Sequence, residues 1–348
     1  MRAALVVGLL LPYLALAADE VPPPRGAIVP EGARFELLFT RSAKINGGLT
    51  EGPACAPDGS IYFSDIPLGT DKGMILRFDP ATKKTTVFVA DSRKSNGLKF
   101  DREGRLVACE GADVGGRAVV RYDLKTKERT VLADRYEGKQ FNAPNDLVID
   151  AKGRIYFSDP RYLGEEPREL KHRAVYRIDP DGKVHEITHA VEKPNGVALS
   201  PDGKTLYVAD HNNGTDRIDP DKPAKPGAMK IYAFPLDAEG FVGGKPRQLV
   251  DFGAEAGCDG MCVDAKGHIY LTQRSPSRPG VKVIDPDGKE VAFLATGPSQ
   301  PGAKEPRGLP SNVTFGKGDE SKTLYVTVDK SLYRIRLNVE GFRHTDSR

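Results

Sequence analysis

The sequence predicts an all-β chain, a six-bladed β-propeller with four antiparallel strands per blade, on three observations. A frame made of a polar residue, a short apolar strand, a Gly-containing turn and a second apolar strand recurs six times. Behind these copies come further strand pairs, at periods of 45 to 64 residues, which is the spacing of propeller blades. Trp is absent, Gly (37) and Pro (27) are plentiful and helical periodicity is scarce, as many short strands joined by turns require.

Taken in order, the first residues read as an export signal. Met1 and Arg2 form a minimal positive region, Ala3 to Leu16 is apolar, and Ala15-Leu16-Ala17 fits a small-residue cleavage site. The apolar run is shorter than the ~20 residues a spanning helix needs. The expected organisation is a signal peptide over 1–18, a linker over 19–32 containing VPPPRG, the propeller over 33–340 and a C-terminal tail over 341–348. The protein is then periplasmic or secreted, with no membrane association after cleavage.

Ahead of the first repeat lies FELLF, from Phe35 to Phe39. The sixth repeat ends in LYRIRL with no outer strand after it, so FELLF is expected to supply that strand, closing the ring and removing a sheet edge.

The repeats begin at Glu51 (EGPACAPDGSIYFSD), Asn96 (NGLKFDREGRLVACE), Asn145 (NDLVIDAKGRIYFSD), Asn195 (NGVALSPDGKTLYVAD) and Asp259 (DGMCVDAKGHIYLTQ), with a degenerate copy at Ser311. In the first five, eight residues separate the leading polar residue from the turn glycine. Strand side chains alternate between faces, so equal offsets place these five leading residues at one level. That level is a ring of oxygens.

If each first strand starts at the oxygen face, the loops that follow each second strand return to it. They are IPLGTDKG, EGADVGGR, PRYLGEEPRELKHR, HNNGTDRIDPDKPAKPG and QRSPSRPG. Long loops on one face of a scaffold choose the ligand. Arg161, Tyr162, His211, Asn212 and Arg274 are therefore the rim candidates.

Two carboxylates, Glu51 and Asp259, and two carboxamides, Asn145 and Asn195, offer all-oxygen ligation to a divalent metal. Calcium is the expected ion, with magnesium, manganese and zinc as alternatives. Such a cation polarises a carbonyl and lowers the pKa of water. Asn96 either lines the pocket or caps a turn. The ordinary reading of any single NG, ND or DG pair is a turn, but a turn does not call for Glu at position 51.

Other chemistries are missing. There is no G-x-S-x-G elbow, no phosphate-binding G-x-x-x-x-G-K loop and no dinucleotide fingerprint. The 51 basic and 48 acidic residues nearly balance, which argues against nucleic acid as a partner. Cys55, Cys109, Cys258 and Cys262 lie in an exported chain, where both buried thiols and one disulfide are open readings.

EGP at Glu51, SNGL at Ser95, PNDLV at Pro144, IYFSDPRY at Ile155, PNGVALSPDGKTLYVAD at Pro194 and DGM at Asp259 resemble the gluconolactonase/regucalcin-like family of six-bladed propellers, over residues 51–264. The resemblance implies a divalent metal, usually calcium, on the central axis and hydrolysis of sugar lactones to hydroxy acids. By position, Glu51, Asn145, Asn195 and Asp259 match the metal ligands, Asp259 is the candidate for assisting water, and Glu110 matches a place near substrate. Where the regucalcin branch has Arg two residues before the Asn of blade three, this chain has Ala143, and Arg161 is the candidate replacement. The substrate-binding set is thus Asn96, Glu110, Arg161, Tyr162 and His211, acting on a small-molecule lactone or ester. Two alternatives stand beside this reading: phosphoester or organophosphate hydrolysis on the same metal, and a non-catalytic binding propeller.

Overall fold

Blades two, three and five share an aspartate-based turn at the far end of their first strand pair. Asp150 Oδ1 accepts hydrogen bonds from the backbone N–H of Lys152 and Arg154, both at 2.9 Å, and Gly153 closes the turn at φ +79°. A side-chain oxygen that folds back on its own backbone fixes such a turn, and a positive φ favours glycine. Asp264 repeats the arrangement with Lys266 and His268.

A computed structural model describes residues 21–42, 48–216 and 223–346, so the signal peptide expected over 1–18 lies outside the described residues. It is a six-bladed propeller of four-stranded antiparallel sheets. Blade one is Leu49–Cys55, Ile61–Ile66, Met74–Asp79 and Lys84–Val89. Blade two is Ser95–Phe100, Leu106–Glu110, Ala118–Tyr122 and Arg129–Ala133. Blade three is Leu147–Ile149, Ile155–Ser158, Val175–Ile178 and Val184–Thr188. Blade four is Pro194–Leu199, Thr205–Asn213, Pro226–Pro235 and Arg247–Asp251. Blade five is Cys258–Val263, Ile269–Gln273, Gly280–Ile284 and Glu290–Ala295.

Blade six takes three strands from the C-terminal part, Pro310–Phe315, Thr323–Val328 and Ser331–Arg336, and its outer strand, Glu36–Thr40, from the N-terminal part. Glu36 pairs with Arg334 and Thr40 with Ser331. The ring is closed by hydrogen bonds between the two ends of the sequence. The stretch expected as a linker carries a short strand of its own, Arg25–Gly26, paired with Phe293 and Ala292 at the outer edge of blade five.

The core lies between blades. Six apolar clusters fill the six interfaces, one of which joins Phe63, Phe78, Tyr325 and Leu332 across blades one and six. Full burial of each such side chain contributes roughly 1.5–3 kcal/mol. All four cysteines are free thiols, and Cys55, Cys109 and Cys258 are buried as small hydrophobes.

The tail closes the far end of the axial channel. Phe342, Arg343, His344 and Thr345 line a cavity of about 60 Å³ there together with Lys99, Val148, Val197 and Met261. Arg343 Nη1 donates to the Phe315 carbonyl at 2.7 Å, and His344 Nε2 lies 3.0 Å from the Ser200 carbonyl. The tail thus covers the end of the axis opposite the loop-bearing face.

Candidate functional site

The leading residues of the repeats converge where the inner strands begin. A small residue after each of four of them lets the next blade come close. A Cβ added at Gly52 would lie 2.1 Å from the Asn96 carbonyl, and one at Gly260 would lie 2.1 Å from Asn312 Cγ. Gly97 N–H donates to the Asn145 carbonyl at 2.8 Å, and Gly196 abuts the Asp259 carbonyl. The chain of approaches runs from blade to blade and is completed by Asn312, whose Nδ2 donates to Glu51 Oε2 at 3.0 Å.

Blade three breaks the glycine pattern with Asp146. Its carboxylate is buried and accepts from Leu147 N at 2.9 Å and Val197 N at 3.4 Å. Asp146 and Asn312 are site residues that the phase argument missed. The signal for Asp146 is visible in the repeats themselves, since only this copy has an acid where its neighbours have Gly.

Three carboxylates therefore share the axis. Burial pushes Glu51 well above the usual carboxylate range, and repulsion from Asp259 and then Asp146 adds to it. Burial also raises Asp259, opposed by Arg274, whose Nη1 lies 3.4 Å from Asp259 Oδ2, and by the Asn195 amide. Buried like charges that feel one another are relieved by a cation close to them.

The carboxamides fit that cation. Asn195 Nδ2 donates to the Tyr162 hydroxyl at 3.0 Å, which turns Asn195 Oδ1 the other way, where it is buried with no hydrogen-bond partner. Asn96 Oδ1 is likewise buried and unpartnered. Buried acceptors of this kind are rare without a partner, and hard oxygen donors suit calcium or magnesium. Asn145 is buried at the same level. Among the described residues no three His, Cys, Asp or Glu side chains gather as a metal cluster of their own, so a cation here relies on the asparagines.

Of the rim candidates, Tyr162 and His211 reach the ring. The Tyr162 hydroxyl donates to the His211 carbonyl at 3.0 Å, and the two rings meet edge to face at 6.1 Å. His211 Nδ1 donates to the Cys258 carbonyl at 2.9 Å, which leaves Nε2 without a proton, and burial pushes the imidazole pKa down to about 4. Arg274 reaches Asp259.

Three candidates go elsewhere. Glu110 is buried, but Arg129 takes both of its oxygens at 2.7 Å, which braces blade two internally. Arg161 turns to Asp216 and to the Glu166 carbonyl instead of the ring. Asn212 bonds Glu192 at 2.9 Å on the exposed side.

With this geometry in hand, comparison with known proteins gives a consistent picture. The family model for the SMP-30/Gluconolactonase/LRE-like region matches residues 49–330. The gluconolactonase of Zymomonas mobilis is 30% identical over 312 residues, covering 84% of this chain and 79% of the relative. A solved gluconolactonase from Xanthomonas campestris superposes with a TM-score of 0.72 at 27% identity, covering 92% of this chain and 96% of that one. A calcium-binding protein, regucalcin, from Agrobacterium tumefaciens shares the fold, with a TM-score of 0.66 at 19% identity over 89% of this chain and 96% of that one.

Proposed function

Because the chain belongs to the SMP-30/gluconolactonase/LRE-like family, we propose that it is a metal-dependent hydrolase that opens sugar lactones to hydroxy acids, with calcium as its ion. Export from the cytoplasm, resting on the N-terminal apolar run, is part of the same proposal. The observation that carries the reading is the turned amide of Asn195, whose Oδ1 is buried without a partner and whose side chain also meets Asp259.

Glu51, Asn145, Asn195 and Asp259 would hold the cation. When bound, it supplies polarisation of an ester carbonyl and a lowered pKa for water. The residues of the chain do the rest. Asp259, raised by burial, takes the proton of the attacking water, and Arg274 beside it at 3.4 Å steadies the carboxylate. The Tyr162 hydroxyl, which receives Asn195 Nδ2, holds that amide in its orientation. As the ring C–O bond breaks, Asp259 passes that proton to the leaving oxygen, the ester opens to a hydroxyl and a carboxylic acid that ionises in solution, and the product leaves by the loop-bearing face because residues 342–345 close the other.

A panel of aldono-1,4-lactones, aldono-1,5-lactones and one phosphotriester tests the substrate class. Ring opening of a lactone with no phosphotriester cleavage is expected. Phosphotriester cleavage alone would move the reading to a phosphoesterase, and saturable binding of a lactone without product would make the protein a binding propeller.

A further inference from the structure

Next to the ring, the loops of blades three and four bury a basic cluster that lactone opening does not use. Arg161 Nε lies 3.2 Å from Asp216 Oδ1, Arg173 Nη2 lies 3.0 Å from Asp216 Oδ2, and Arg168 Nη2 binds the same oxygen. The three arginine side chains are 9, 10 and 7% exposed in the order 161, 168, 173, and Asp216 is 7% exposed. Lys193 adds a fourth cation. It is fully buried, and among the described residues its Nζ bonds neutral oxygens, Asn213 Oδ1 at 3.0 Å and Thr215 Oγ1 at 3.1 Å.

Among the described residues, Asp216 is the one carboxylate within ion-pair distance of these groups. Of the other acids nearby, Asp159 accepts from Asn142 and Ala143 N–H and feels Arg168 from a distance, Glu192 accepts from Asn212 and Ala228, and Glu166 accepts from Val114 N–H through Oε1 while its Oε2 is buried without a partner. Arg168 Nε and Nη1 are buried with no hydrogen-bond partner at all. A guanidinium offers a planar fork matched to carboxylate and phosphate oxygens, and a buried fork with two empty donors is costly unless an anion meets it.

Tyr162 links this cluster to the ring. Its hydroxyl receives Asn195 Nδ2, while Lys193 Nζ sits 4.1 Å from the centroid of its ring. We propose that Arg168, Lys193 and their arginine neighbours form a subsite for an anionic group on the substrate, a carboxylate or a phosphate, so that the enzyme favours acidic lactones. This specificity rests on the lactone-hydrolase reading. Asp216 holds the arginines together, and the substrate anion meets the unpaired side of Arg168.

The test compares kcat/KM for glucono-1,5-lactone, which is neutral, glucaro-1,4-lactone, which carries a carboxylate, and 6-phosphoglucono-1,5-lactone. Preference for one acidic lactone over the neutral one is expected, and which acid wins identifies the anion. Arg168→Gln lowers that acidic-to-neutral ratio roughly ten- to hundredfold, mainly through KM, as loss of a charge-assisted bond predicts, and Arg168→Lys recovers part of it. Lys193→Gln replaces Arg168→Gln if the latter fails to fold. Calorimetric titration with D-glucarate and with inorganic phosphate decides the subsite independently of turnover. If no lactone opens but either anion binds and the variant weakens it, the catalytic reading fails and the subsite stands. Absence of both acidic preference and anion binding, or an equal loss on all three lactones, would overturn the proposal and leave the cluster a staple between loops.

Discussion

Asn312 Nδ2 donates to Glu51 Oε2 at 3.0 Å, so the last blade holds the first blade's carboxylate across the seam where the propeller closes. Both side chains are buried, at 1 and 3% exposure, and Asn312 Oδ1 also accepts from Val313 N–H at 2.8 Å. Asn312→Ala removes the donor and leaves a buried carboxylate short of a partner. A loss of roughly 1–3 kcal/mol in denaturant unfolding is expected, with weaker calcium binding. Unchanged stability and calcium affinity would show that Asn312 has no part in the site.

The same seam depends on the N-terminal strand. Phe39 packs on Phe63 with ring centroids 5.4 Å apart, and Glu36–Thr40 covers the edge of blade six. Phe39→Ala is expected to cost roughly 1–3 kcal/mol. A chain beginning after residue 42 exposes that edge and should aggregate on heating. Light scattering during a thermal ramp checks it, and a truncated chain as stable and monomeric as the whole one contradicts the closure.

Tyr162→Phe removes the hydroxyl that receives Asn195 Nδ2. The amide is then free to turn, and its Oδ1 is no longer held in one orientation. Calcium affinity measured by calorimetry should fall roughly fivefold to tenfold, in line with one lost hydrogen bond, while the fold persists. Equal affinity in the variant would mean that Tyr162 does not orient the ligand.

His211 gives a pH signature. It is buried neutral, with a pKa of about 4 against an ordinary 6.5, so between those values the unfolded chain binds a proton that the folded chain does not. Its contribution to stability is complete above pH 6.5 and is lost as pH falls towards 4. The stability difference between wild type and His211→Gln should therefore shrink from pH 7 to pH 4, by up to about 3 kcal/mol. A difference that stays flat across this range would mean that the imidazole titrates normally.

How much of this is legible in the sequence follows from what repeats. Blade number, the far-face turns and the closing strand are legible because Gly59, Gly104, Gly153, Gly203 and Gly267 keep one offset from the leading residues, and FELLF has no other sheet to join. The oxygen ring follows from the same phase. Asp146 lies one position beyond the leading residues whose phase repeats, so the phase alone does not mark it. Glu110 was expected near substrate, but Arg129, on the outermost strand of its own blade, takes its carboxylate, and cross-strand pairing of that kind leaves no periodic trace. The cluster around Asp216 joins residues from two loops, 161–173 and 211–216, with Lys193, and only folding brings them together.

The most direct test of the central claim is calcium-dependent lactone opening at the ring. Glucono-1,5-lactone hydrolysis is followed in the purified protein, after chelation, and after calcium is restored, in wild type and in Asp259→Asn. Turnover that disappears with chelation, returns with calcium and is absent from a folded Asp259→Asn protein is the predicted result. Full activity in the chelated protein, or in Asp259→Asn, would contradict it.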